Sequence, residues 1–293
     1  ALRWIVALKI LWKSYRVRNE ILRMQKTNQR RKSHLGRKMM LQSTIHEKDS
    51  IDLSSAPWTM HEFFAGSGLV AYGLKGMFAT VWANDISEQK AAVYEANLGN
   101  DHFKLGDIKD VKGTELPFAH LSWASFPCQD LSLAGSMGGI HAARSGLVWE
   151  WFRVLDEMTQ KPKILLLENV AGLLSTNNGD NYRVLHMALV ERDYDCGAIM
   201  LNASHFVPQS RPRVFIIAVK HGETIPEELV GDGPCWLHNK AAAELGRSLP
   251  NWIWWKTEKP TRRKSTLKDI VETDVPFDKD YALKLVPVRH QVR

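Results

Sequence analysis

Between residues 58 and 220, short apolar segments alternate with segments that have helical periodicity. Six segments have the composition of strands: Trp58–Phe64, Ala79–Asn84, Leu121–Phe126, Ile164–Glu168, Cys196–Leu201 and Val214–Val219. Four have the periodicity of helices: Ser67–Gly76, Ser87–Leu98, Gly146–Gln160 and Asp180–Arg192. Strands that are apolar along nearly their whole length are typical of a parallel sheet covered on both faces. The alternation therefore predicts an α/β fold with a doubly wound, mostly parallel sheet.

The positive net charge of the chain, +7, is concentrated at its N-terminus. Residues 1–40 contain twelve Lys or Arg and a single acid, Glu20, so the remaining residues are slightly acidic. Residues 1–56 are interpreted as a basic extension, either helical or poorly ordered. A basic amphipathic helix there could bind DNA phosphates or a membrane surface. Because the basic residues lie in this extension, net charge says little about what the rest of the chain binds.

Cysteine spacing and hydropathy exclude several classes of protein. Cys128, Cys196 and Cys235 show no C-x-x-C spacing, which argues against a disulfide scaffold and a four-cysteine zinc site. No apolar run reaches the roughly 18 to 20 residues of a membrane span, and no signal-peptide pattern is present. We therefore expect a cytoplasmic protein without a metal or a membrane anchor. We also expect it to be a monomer.

A glycine-rich turn follows the first predicted strand, in the sequence Phe63-Phe64-Ala65-Gly66-Ser67-Gly68. Glycines there allow the backbone to approach a ligand closely, although a plain tight turn has the same pattern. Asp85 ends the second predicted strand, and Asp107 follows farther along the chain. Acids at such strand ends can accept hydrogen bonds from a ribose, and capping a helix is the alternative for each. The pattern suits an adenosine-containing cofactor.

Three further motifs carry reactive or charged groups. Cys128 follows a proline and a buried strand, where a cysteine can act as a thiolate nucleophile. The alternative is that Cys128 is a buried packing residue, which is how we interpret Cys196 and Cys235. Glu168 ends a strand of aliphatic residues, where it could donate a proton if unpaired or make a structural hydrogen bond. Arg211 and Arg213 lie on one side of an extended segment and could hold a carboxylate and a substrate group together; a surface pair is the alternative.

In this order, Phe-x-Gly-x-Gly, Pro-Cys-Gln, Glu-Asn-Val and Gln-x-Arg-x-Arg resemble the cytosine-5 DNA methyltransferase family over residues 58–220. The resemblance implies a Rossmann-like domain at 57–220 that binds S-adenosylmethionine. The cofactor residues it implies are Phe64, Ala65, Gly66, Ser67, Gly68, Leu69, Asp85, Ile86, Asp107, Ile108, Pro127 and Leu147. The catalytic residues it implies are Cys128, Glu168, Arg211 and Arg213. The substrate-binding residues it implies are Gln129, Arg144, Asn169 and Gln209.

The same resemblance implies a reaction on double-stranded DNA with a flipped cytosine. The Cys128 thiolate adds to C6 of the base, Glu168 hydrogen-bonds or protonates N3, and the methyl group goes to C5. Bacterial restriction–modification systems are the implied setting.

Residues 221–293 depart from the family pattern. They contain a tryptophan cluster (Trp252, Trp254, Trp255) and a basic stretch, Lys256–Lys268, and are interpreted as a partial target-recognition region. The tryptophans could stack on bases or form core packing. The family's Gly-Asn-Ser-Val-like motif is not found, so the chain resembles the N-terminal catalytic lobe of such an enzyme. An inactive remnant and a methyltransferase acting on tRNA therefore remain alternatives.

Overall fold

The computed structural model describes residues 58–127, 146–261, 263 and 265–269, so the predicted N-terminal extension lies outside it. Seven strands form one sheet: β1 (Trp58–Phe63), β2 (Phe78–Asp85), β3 (Phe103–Leu105), β4 (Leu121–Ala124), β5 (Ile164–Val170), β6 (Tyr194–Asn202) and β7 (Pro212–Lys220). Five helices accompany them: α1 (Leu69–Leu74), α2 (Glu88–Leu98), α3 (Leu147–Glu157), α4 (Asp180–Val190) and α5 (Lys240–Ser248). All six predicted strands and all four predicted helices are present, with boundaries shifted by a few residues.

The strands are ordered β3-β2-β1-β4-β5-β7-β6, and every pair from β3 to β5 is parallel. The strand order reverses between β1 and β4, which is where open sheets of this kind bind their ligands. This confirms the predicted mostly parallel α/β fold. The glycine-rich turn leaves β1 and the segment toward Cys128 leaves β4, so both motifs lie at this reversal.

Strand β7 runs antiparallel to both of its neighbours, β5 and β6. The reason is the short connection after Asn202, which cannot contain the crossover helix that a parallel neighbour needs. It holds only a 3-10 turn, Ala203–His205, before the chain enters β7 at Pro212. As a result, Arg211 and Arg213 enter the sheet from the same edge at which β1, β4 and β5 end.

Two apolar clusters cover the two faces of the sheet. One is centred on α3 and α4 and contains Trp151, Phe152 and Tyr182. The other contains Met60 of β1, Trp123 of β4 and Leu74 at the end of α1. Helix α3 presents a strongly one-sided apolar pattern, and Trp151 lies fully buried with its indole Nε1 donating to Ser122 Oγ at 3.1 Å.

Residues beyond 220 contribute to both clusters. Leu237, Ile253 and Trp255 belong to the cluster around Trp123, and α5 contributes Ala242 and Leu245 to the other. Trp255 Nε1 donates a hydrogen bond to the Ile217 carbonyl at 3.1 Å. The Trp252 ring stacks on the ring of buried His186, with the ring centroids 5.6 Å apart. The tryptophan cluster is therefore core packing in this structure, and the core continues past residue 220. The assignment of 221–293 to target recognition remains a prediction.

Candidate active site

The glycine-rich turn has the left-handed backbone that its glycines predict. Gly66 and Gly68 have φ angles of +59° and +78°, and Phe64 between them and β1 has +56°. A Cβ atom on Gly68 would lie 2.3 Å from Leu98 Cδ1 and 2.8 Å from Tyr94 Cδ2. The turn thus packs directly on α2, and only glycine fits at position 68.

Asp85 holds this turn to the end of β2. One carboxylate oxygen accepts from the Gly66 amide at 2.7 Å, and the other accepts from the Ser87 amide at 2.9 Å. Ile86 beside it is 68% exposed, unusual for a large apolar residue at the edge of a sheet. Asp107 accepts from the Lys109 amide at 3.0 Å and caps a short turn, while Ile108 is buried. Both acids thus make the capping-type contacts that the sequence left open, and their proposed contacts to a cofactor stay predictions.

A cavity of about 420 Å³ joins the glycine-rich turn to the predicted catalytic groups. The predicted residues that line it are Phe64, Ala65, Gly66, Ser67, Leu69, Glu168 and Arg211. The predicted residues among the described ones that lie outside its lining are Gly68, Asp85, Ile86, Asp107, Ile108, Pro127, Leu147, Asn169, Gln209 and Arg213. The cavity therefore connects the turn after β1 with the last residues of β5 and the start of β7.

Glu168, which lines this cavity, forms an ion pair with Arg213. Arg213 Nε lies 2.8 Å from Glu168 Oε1, and the two side chains are 16% and 22% exposed. The antiparallel register places Val170 opposite Arg213, which brings the guanidinium back toward Glu168 two residues earlier. Arg213 therefore holds a carboxylate in this structure, while the predicted contacts of Arg211 and Arg213 to a substrate stay predictions. Glu168 is thus paired with Arg213 in this structure, and its role as a proton donor stays a prediction.

Asn169 is buried and positions the segment that leads to Cys128. Its amide Nδ2 donates to the Phe126 carbonyl at 3.1 Å, and its Oδ1 accepts from the Val170 amide. Pro127 and Gln209 are exposed, and Leu147 begins α3. Cys128, Gln129 and Arg144 lie outside the described residues. Direct contact between Asn169 and a substrate remains a prediction.

The other two cysteines lie away from this cavity. Cys196 is fully buried with its Sγ 3.2 Å from His186 Nδ1, and burial raises the pKa of its thiol above the ordinary value. Cys235 is half-buried, and its Sγ lies 3.5 Å from the Trp255 carbonyl oxygen. Among the described residues, no three His, Cys, Asp or Glu side chains are grouped to hold a metal ion. No helix in that part of the chain is long and apolar enough to cross a membrane.

Glu62, in the fifth position of β1, also lines the cavity, and sequence analysis did not single it out. It is 1% exposed, and burial raises the pKa of its carboxyl to about 8. The signal in the sequence was an acid within an otherwise buried strand of a parallel sheet, where charged residues are rare.

Comparison with known proteins agrees with this arrangement. The family model of C-5 cytosine-specific DNA methylases matches residues 58–289. The chain belongs to this family. The matched region includes the segment beyond residue 220, although the four motifs all lie before it.

Two relatives of this methylase-family chain are type II methyltransferases from bacteria. The type II methyltransferase M.Bsp6I of Bacillus sp. (strain RFL6) is 33% identical over 55% of this chain and 51% of its own length. The type II methyltransferase M.HhaI of Haemophilus parahaemolyticus is 32% identical over 55% of this chain and 48% of its own. The chain thus spans about half the length of these relatives. The crystal structure of S. pombe Dnmt2 methyltransferase has 23% identity and a TM-score of 0.49, covering 58% of this chain and 53% of that one.

Proposed function

We propose that the protein methylates C5 of cytosine in double-stranded DNA, with S-adenosylmethionine as the methyl donor. The observation that carries the proposal is the cavity that Gly66 and Ser67 line on one side and Glu168 and Arg211 on the other. A cofactor held against the glycine-rich turn and a base held at Glu168 would be neighbours within it. Family membership and the bacterial type II relatives support a role in a restriction–modification system, in the bacterial cytoplasm with the chromosome.

The residues present fit S-adenosylmethionine. The left-handed turn at Gly66 and Gly68 brings backbone close to the cavity, and Asp85, at the end of β2, has oxygens that can each accept a further hydrogen bond. The exposed Ile86 offers apolar surface for an adenine beside the end of β2. When bound, the cofactor supplies an electrophilic methyl group.

The chain itself activates the cytosine. C5 of cytosine is a poor nucleophile, so electron density must first be raised on the ring. Addition of the Cys128 thiolate to C6 breaks the C5–C6 double bond and makes C5 nucleophilic. After methylation, loss of the C5 proton and departure of Cys128 restore the double bond and leave 5-methylcytosine.

Glu168 and Arg213 act on the other side of the base. Glu168 hydrogen-bonds or protonates N3, which draws electrons from C6 and favours thiolate attack. Arg213 holds the Glu168 carboxyl in one orientation through the 2.8 Å contact. Asn169 holds the backbone of Phe126, which lies just beyond β4 and two residues before Cys128. A base can enter this site only when it is flipped out of the duplex.

The test is covalent trapping. Duplex DNA with 5-fluorocytosine in place of cytosine is incubated with the full chain and S-adenosylmethionine, because fluorine at C5 blocks the final elimination and leaves the adduct in place. We expect an adduct stable in denaturing gels, with Cys128 as the modified residue. Cys128→Ser should trap none. Equal trapping by wild type and Cys128→Ser would contradict the catalytic role, and methyl transfer to tRNA in preference to DNA would contradict the substrate.

A further inference from the structure

The basic stretch Lys256–Lys268 lines a second cavity, separate from the one that Glu168 lines. Six of its residues are Lys or Arg, and one is an acid. Part of this stretch encloses a volume of about 870 Å³ together with Ser204, His205 and Pro208. These three residues belong to the connection between β6 and β7. The basic stretch therefore packs beside the connection that reverses β7.

The second cavity lies at the same edge of the sheet as the proposed catalytic groups. Strand β6 runs parallel to β5, since β7 is antiparallel to both, so the connection after Asn202 leaves the sheet where β5 also ends. Pro208 lines the second cavity, and Arg211 lines the cavity that contains Glu168. Three residues of chain span at most about 11 Å, which equals the axial rise of about three base pairs of a duplex. A duplex that delivers a base to Glu168 would therefore reach the second cavity within a few base pairs.

The lining of the second cavity combines cations with hydroxyl groups. Arg263 donates from Nε to the Ser204 carbonyl at 3.1 Å and from Nη1 to the Ser265 carbonyl, so neutral oxygens fix its guanidinium. Lys259 is exposed, and none of the ion pairs among the described residues includes Lys259 or Arg263. No acid is found among the described residues of the lining. Lys, Arg, Ser and Thr side chains are the groups that contact DNA phosphates.

The distribution of charge along the sequence singles out the same stretch. Residues 41–255 contain 17 Lys or Arg against 25 Asp or Glu, a net charge of −8, whereas residues 256–268 carry +5. Asp269, the next acid, accepts from the amide and the hydroxyl of Thr266 at 2.7 and 2.8 Å and does not line the cavity. Beyond the N-terminal extension, the attraction for a polyanion is therefore concentrated beside the second cavity.

We propose that the second cavity binds the sugar–phosphate backbone of the DNA duplex beside the flipped cytosine, with Lys259 in direct contact with a phosphate. The inference rests on the proposed function, since a cytosine held at Glu168 determines where the duplex lies. Phosphate contacts fix the register of a protein on DNA without reading the sequence. The contact at Lys259 thus holds the duplex in place while the base is out of the stack, and the release of counterions from the phosphate supplies affinity.

The salt dependence of DNA binding measures this contact. Fluorescence anisotropy gives the Kd of the full chain for a labelled DNA duplex at KCl concentrations from about 50 to about 200 mM. We expect Lys259→Gln to weaken binding and to reduce the slope of log Kd against log salt by about 0.9, because one phosphate contact is lost. The ratio of the wild-type and variant affinities then shrinks about 3.5-fold over this range.

Lys256→Gln is the matched control. It makes the same change of charge at an exposed side chain of the same stretch, but Lys256 lies beside Gly231 and outside the lining of the second cavity. We expect the slope of this variant to equal that of wild type, and the affinity for S-adenosylmethionine to be unchanged in both variants.

Two duplexes of unrelated sequence complete the test, because a phosphate contact acts equally on both. A loss of affinity confined to one duplex would indicate a base contact and overturn the inference, as would a wild-type slope in Lys259→Gln. A change of slope with duplex RNA and none with DNA would overturn the assignment to DNA. The first two outcomes leave the proposed function standing, since trapping through Cys128 is measured separately. If wild type does not bind duplex DNA, the proposed function fails together with this inference.

Discussion

Arg213 Nε lies 2.8 Å from Glu168 Oε1, although the two residues belong to strands that run in opposite directions. The pair exists because β7 turns back against β5 and begins at the edge where β5 ends. Glu168 is thereby fixed in orientation at the cavity that the glycine-rich turn also lines. The acid is held by an element that comes more than forty residues later in the chain.

Replacing Arg213 by Ala should reduce methyl transfer while sparing cofactor binding. Without the guanidinium, Glu168 can rotate away from N3, and we expect kcat to fall about 10- to 100-fold, equivalent to roughly 1.4 to 2.7 kcal/mol. Single-turnover transfer of labelled methyl groups to DNA and calorimetry with S-adenosylmethionine are the two measurements. Arg247→Ala, on the exposed end of α5, is the matched control. An Arg213→Ala enzyme with wild-type kcat would contradict the positioning role.

Gly68→Ala should destabilise the fold more than Gly76→Ala does. Both glycines have φ near +78°, so the backbone strain of the substitution is similar. Only at Gly68 would the added methyl group collide with Leu98 and Tyr94, whereas nothing lies within 4 Å of the Cβ position at Gly76. We therefore expect Gly68→Ala to lose roughly 1 to 3 kcal/mol more in the free energy of unfolding than Gly76→Ala, because of overpacking. Urea denaturation of the two variants gives the difference, and equal losses would show that the turn does not pack on α2 as described.

Gly197→Ala should detach the segment that contains Ile253 from the sheet. A Cβ at position 197 would lie 2.0 Å from the Ile253 carbonyl oxygen, so β6 and this segment cannot keep their contact. We expect a loss of roughly 1 to 3 kcal/mol in the free energy of unfolding and faster amide exchange at Ile253, whose amide donates to the Cys196 carbonyl at 3.0 Å. Gly233→Ala, with open space around it, should change neither. Protection of Ile253 that is unchanged in Gly197→Ala would argue for an independent module beyond residue 220.

Acidification should destabilise the protein through His61. Burial lowers the pKa of this histidine to about 4, and its Nε2 donates to the Pro117 carbonyl at 2.7 Å. His61 takes up a proton near pH 6.5 in the unfolded chain and only near pH 4 in the folded chain. Its contribution to the free energy of unfolding is therefore present above pH 6.5 and is lost as the pH falls toward 4. Between pH 7 and pH 4.5 the free energy of unfolding falls by about 2 kcal/mol through His61.

Denaturation curves of wild type and His61→Gln at both pH values measure this contribution. The variant should lose less stability than wild type on acidification. His221→Gln is a control of opposite sign, because Asp195 at 2.9 Å raises the pKa of exposed His221. The stabilisation that protonated His221 gives beside Asp195 is present at low pH and is lost as the pH rises through the pKa of His221 in the folded protein. Identical acid sensitivity of wild type and His61→Gln would mean that His61 does not remain neutral in the folded protein.

Most of the sheet could be predicted because its strands are apolar on both faces and long enough to recognise. Strand β3, Phe103–Leu105, was missed: it has three residues, two of them exposed, so no periodicity marks it. Helix α5 was missed because its short alanine-rich segment lies beyond the regular alternation. Its start depends on Asn239, whose side chain accepts from the Ala242 amide at 2.9 Å. A cap of this kind is visible in sequence only once the helix is suspected.

The sequence by itself determined the α/β fold, the order of its elements and the set of candidate residues, since periodicity and motif order are local properties of the chain. The tertiary structure decided which of those residues meet. The short connection after β6 reverses β7, and this brings Arg213 to Glu168 and Arg211 to the cavity. The tertiary structure also decided the raised pKa of the Glu62 carboxyl, because desolvation depends on what packs around a group, and Tyr94 of α2 and Trp123 of β4 are remote from Glu62 in sequence.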